Sequence, residues 1–147
     1  MRTVAATVVV ILAVLIQLAA SKAMPAPPDI ALAALLAVSG GIGFLPHLAL
    51  VALAVLILNG QPGPSPDMAV FVILPLLGLF AAHRLPFQPW LSGFVVVASG
   101  CALFPLILAP ETVASDPVRF ARLWGVGLVI GLLVASALDG AGTKETP

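Results

Sequence analysis

The chain has 147 residues, 61% of them hydrophobic and 8% charged, and six Lys and Arg balance six Asp and Glu. That much apolar surface exceeds what a single soluble core of this length can bury, and the charge balance provides no basic patch for nucleic acid. The lone Cys101 excludes an intrachain disulfide, and two histidines with scattered carboxylates show no metal-ligand spacing.

In chain order, Thr3 to Ala20 is an apolar run of 18 residues behind Arg2, long enough to cross a bilayer. Arg2 and the small residues around Lys22 also match a cleavable signal, but the further apolar segments favour an uncleaved first helix. Gln17, near its end, is expected at the interface or against another helix. Met24 to Pro28 is a stiff proline connector, and Pro28-Asp29 is expected to open the next helix, with proline at its first turn and an acid at its positive end.

From Asp29 to Asn59 the sequence is apolar almost throughout, and as one helix it would reach roughly 46 Å, well past a hydrocarbon core of about 30 Å. Three glycines in the four positions Gly40, Gly41, Ile42 and Gly43, with Ser39 before and Pro46 after, predict a break there. Asp29 to Ser39 then becomes a short or tilted segment and Gly43 to Asn59 a span, ended by Gly60 to Pro64.

Ser65-Pro66-Asp67 opens a segment from Met68 to His83, where Pro75 and Gly78 predict a kink. Arg84 and Trp90 suit an interfacial connector. Leu91 to Ala109 follows, with a waist of small residues from Ala98 to Ala102. Residues 110–115 lead to Asp116-Pro117, which opens the last segment, Val118 to Leu138. The expected fold is an all-α membrane protein: a compact bundle of five to six transmembrane helices, one short or broken, over residues 1–138, with a polar tail at 139–147. Charge counting ties at three basic residues against three whether or not Asp29 to Ser39 crosses, so orientation stays open.

Several groups are candidates for function. Ser39, Gly40, Gly41, Gly43 and His47 form a hinge or line a cavity; His47 has the simpler role of bonding a carbonyl freed by Pro46. No ionisable residue lies near the middle of an apolar run, which argues against a proton or ion path. Arg119 and Arg122, three apart on one helix face, are candidates to dock a partner or anionic headgroups, or to anchor the helix at the interface. Gly127, Gly131 and Ala135 make a small-residue stripe open to a partner helix or to internal packing. No nucleophile has a histidine and acid in context, so the chain is not expected to be an enzyme and needs no cofactor or metal.

The layout resembles the MreD family, the small membrane subunit of the bacterial rod-shape machinery. The resemblance rests on a first helix, a proline connector, the Pro28-Asp29 start, a span ending in Leu58-Asn59-Gly60-Gln61-Pro62-Gly63, a span closing on His83-Arg84, and two more spans. It implies a non-enzymatic scaffold in the bacterial inner membrane that binds a single-span partner, MreC, and helps position cell-wall synthesis enzymes. It also implies a fold similar to substrate-binding subunits of vitamin transporters, in which the glycine break and His47 would line a small-molecule cavity. Gly41-Ile42-Gly43-Phe44-Leu45-Pro46 is similar to a run in small subunits of tricarboxylate transporters, a further alternative.

Overall fold

A computed structural model describes residues 2–24, 27–58, 65–86 and 88–142. Seven helices occupy the described residues: α1 Arg2–Ala23, α2 Ile30–Val38, α3 Phe44–Leu58, α4 Pro66–Arg84, α5 Pro89–Leu108, α6 Pro110–Ser115 and α7 Pro117–Gly142. Four of them, α1, α4, α5 and α7, are long and apolar enough to cross a membrane, and α3 is a shorter apolar helix.

The chain runs up and down. Arg2, Gly41, Ile42 and Leu138 line one recess, so the start of α1, the α2–α3 turn and the last turns of α7 share a lower end. Leu58, Ser65, Asp67 and Phe104 line another at the upper end, where α3 finishes, α4 starts and α5 nears its finish. Among the described residues α1, α3, α4, α5 and α7 run between the two ends, α2 reaches the lower end from the interior, and both ends of the described fold lie together.

The arrangement is organised around α2. Its sequence, Ile-Ala-Leu-Ala-Ala-Leu-Leu-Ala-Val, is apolar on every side, the pattern of a helix surrounded by protein. All eight residues from Ala31 to Val38 are buried, and α2 touches α1, α3, α4, α5 and α7. Alanine at four of nine positions keeps the helix thin, which lets neighbouring backbones approach. Around it α1 turns inward the helical stripe Ala6, Val10, Ala13 and Val14, while Val4, Val8, Leu12 and Leu15 face outward.

Glycines supply the sockets. A methyl group added at Gly100 of α5 would stand 2.4 Å from Leu36 Cδ1, and one at Gly78 of α4 would stand 3.0 Å from Leu36 Cδ2. Leu36 thus sits in a pocket cut from two helices. Gly78, one of the two residues that predict a kink, is also a packing residue, and Pro75 lies inside α4.

Helix starts follow local chemistry in two of three expected places. Ser65 Oγ accepts from Met68 N at 3.3 Å with Pro66 next, and Asp116 Oδ1 accepts from Arg119 N at 2.9 Å with Pro117 next. At α2 the expectation fails. Pro28 lies outside the helix, Asp29 makes no side-chain cap, and Gln17 Oε1 of α1 accepts from Ile30 N at 2.7 Å instead. Residues 110–115, expected as a connector, form α6, and α7 runs on to Gly142 past the expected boundary at Leu138. The remainder of the polar tail, 143–147, lies outside the described residues, as does the turn at 59–64.

Candidate functional site

The glycine break is where the sequence placed it, but sterics do not make it. None of Gly40, Gly41 and Gly43 has a left-handed backbone, and a methyl group at each would meet its nearest neighbour at 3.8–3.9 Å, ordinary contact. The three glycines act through low helix propensity, and the turn is closed by hydrogen bonds. Ser39 Oγ donates to Leu36 O at 2.6 Å, and Gly41 N donates to Val38 O at 3.0 Å. α3 restarts with His47 N donating to Gly43 O at 3.1 Å.

His47 is completely buried, and its Nε2 lies 3.2 Å from the Pro75 carbonyl of α4. A carbonyl only accepts, so Nε2 carries the hydrogen. The expected partner, a carbonyl freed by Pro46, is replaced by one from a different helix. Nδ1 is left buried without a hydrogen bond. Ser39 is 1% exposed and His47 0%, so no water-sized space adjoins either. Ser39 and His47 are packed into the core, whereas Gly40, Gly41 and Gly43 are exposed at the lower end, where Gly41 borders the recess shared with Arg2, Ile42 and Leu138.

Gly127, Gly131 and Ala135 also turn inward. A methyl group at Gly131 would lie 2.4 Å from Val97 Cγ1 and 3.4 Å from the Ala33 carbonyl, and one at Gly127 would lie 3.3 Å from Cys101 Sγ. Ala135 packs against the same cluster. The stripe is where α7 closes on α2 and α5, so a partner helix has no access to it.

Arg119 and Arg122 are exposed at the upper end of α7. Arg119 borders an outer cleft of about 300 Å³ between the end of α5, α6 and the first turns of α7, with Thr112, Asp116 and Phe120. Asp116 caps α7 through the Arg119 backbone.

Below this cleft lies a recess of about 50 Å³ lined by Pro28, Asp29, Cys101, Phe120, Leu123 and Trp124, among others. Pro105, Phe120 and Leu123 belong to both, so the two spaces adjoin. Trp124 is fixed across the recess by Nε1 donating to Ala98 O at 2.9 Å. Asp29 is the residue that the sequence reading missed. Its carboxylate makes no hydrogen bond or ion pair among the described residues, and it lies beside Cys101 and Gly127, well inside α5 and α7. The signal was the length of α2: nine residues cover about 14 Å, so a helix that ends at the lower turn must start deep.

The chain matches no protein-family model, no curated protein and no solved structure.

Proposed function

We propose that this chain is a multi-pass protein of the bacterial inner membrane that acts as a non-enzymatic scaffold, as its resemblance to the MreD family implies. The observation that supports this most is the solid centre. α2 fills the middle of the bundle, and Ser39 and His47, two of the residues that would line a vitamin-type cavity, are buried. That weighs against a substrate-binding subunit built on those two side chains. The outward faces are left for partners and lipid. Val118, Val129 and Leu133 of α7 are exposed, and nothing lies within 4 Å of a methyl group added at Gly125. In this reading an MreC-like single-span helix packs on an outer face, and Arg119 and Arg122 dock anionic headgroups or the partner's polar flank.

The test is isolation of the intact chain in mild detergent, with mass spectrometry of what accompanies it. A single-span protein with a coiled-coil domain and cell-wall synthesis enzymes are expected. Recovery with a pair of ATPases instead would replace the scaffold by a transporter subunit.

The membrane topology has its own check. In a Cys101→Ala background, single cysteines at Gly41 and Arg84 are expected to be labelled from one side of the membrane. Cysteines at Ser65 and Glu111 should be labelled from the other. Labelling of Gly41 and Ser65 from the same side would remove α3 as a span.

A further inference from the structure

The recess at Asp29 has no role in a scaffold, and its chemistry is specific. Buried carboxylates are ordinarily paired or hydrogen-bonded, because an isolated charge out of water is costly. Here the natural duty of the side chain, capping α2, is performed by Gln17. The carboxylate is left facing a recess of about 50 Å³, space for one small polar group, with Phe120 and Trp124 among its walls. Aromatic rings beside a carboxylate favour a cation, through the ring quadrupole as well as through charge. A metal ion is disfavoured, since no group of three or more His, Cys, Asp or Glu converges among the described residues. An organic ammonium needs only one carboxylate and an apolar wall.

We infer that the Asp29 recess binds a primary ammonium group whose apolar or anionic remainder lies in the adjoining outer cleft. The ammonium enters between Phe120 and Leu123, which line both spaces, and donates to the Asp29 carboxylate. The outer cleft, about 300 Å³, takes the body of the ligand, and Arg119 at its border disfavours a second positive charge there. A free small amine and the headgroup of phosphatidylethanolamine share this chemistry. The inference is independent of the scaffold reading and stands or falls on binding alone.

The experiment uses the intact chain in phosphatidylcholine nanodiscs, whose quaternary headgroup cannot donate a hydrogen bond. The sequence has two tryptophans. Trp90 starts α5, and Trp90→Phe leaves Trp124 as the sole emitter. Titration with 2-phenylethylamine is expected to change Trp124 emission saturably. The neutral analogue 2-phenylethanol should bind at least ~10-fold more weakly, as should the amine to Asp29→Asn, while Asp67→Asn at the start of α4, which lines neither space, should leave the affinity unchanged. Adding phosphatidylethanolamine to the discs separates the sources. A raised apparent Kd for the soluble amine identifies the lipid headgroup as occupant, and an unchanged Kd identifies a free amine. No saturable change, equal affinity for amine and alcohol, or equal affinity of the parent and a folded Asp29→Asn would overturn the inference. The amine–alcohol comparison needs no change at Asp29, so it decides the matter even if that variant is not recovered folded.

Discussion

Gly131→Leu is expected to abolish recovery of the folded protein, while Gly125→Leu, six residues earlier on the same helix, is expected to leave it nearly intact. The added atoms at Gly131 meet Val97 Cγ1 at 2.4 Å and the Ala33 carbonyl at 3.4 Å. Val97 is fully buried and β-branched, so it has no free rotamer to move into, and the Ala33 carbonyl belongs to the backbone of α2. Overpacking a dense interior ordinarily costs about 1–3 kcal/mol, and a leucine against a backbone and a stiff side chain belongs at or above the top of that range. At Gly125 nothing lies within 4 Å, so the side chain projects outward. Melting temperature and elution profile in detergent measure both variants. If the two behave alike, α7 is rotated from the orientation described, and the small-residue stripe becomes available to a partner again.

The second large effect is at the socket of Leu36. Leu36→Ala empties a position that is 1% exposed at the centre of the bundle and is expected to cost about 3 kcal/mol, within the range for buried leucine truncations. Gly100→Ala places a methyl group 2.4 Å from Leu36 Cδ1 and 3.2 Å from Cγ, and is expected to cost about 2 kcal/mol. The two changes are complementary in shape. With Leu36 shortened, the new methyl occupies part of the hole, so the double variant should lose less than the sum by at least ~1 kcal/mol, the signature of direct coupling. Strict additivity would mean that α5 does not pack on α2 through this pair.

Much of the architecture was legible because it depends on local chemistry. Ser65-Pro66 and Asp116-Pro117 begin helices through bonds made within one turn. The glycine break needs nothing beyond low helix propensity. What was not legible depends on partners far away in sequence. Gln17 and Ile30 meet because a proline connector folds α2 back along α1, and no spacing rule reveals that an amide in one helix will cap another. His47 bonds Pro75, 28 positions later, for the same reason. The inward direction of Gly127, Gly131 and Ala135 was equally hidden. A small-residue stripe looks the same whether it faces its own bundle or a neighbour, and the proximity of Val97 decides it.

Asp29 shows the division most plainly. Composition and periodicity were enough to predict an all-helical chain with apolar segments separated by proline and glycine turns, because hydrophobic length and backbone propensity are properties of contiguous residues. From that vantage Asp29 was an ordinary helix-starting acid at the positive end of a dipole. Its depth emerges only when the nine residues of α2 are fitted among longer helices, four of them more than twice its length. A short helix that reaches one end of the bundle cannot reach the other, and the residue just before it, Asp29, is left partly buried below the upper end with an unpaired carboxylate.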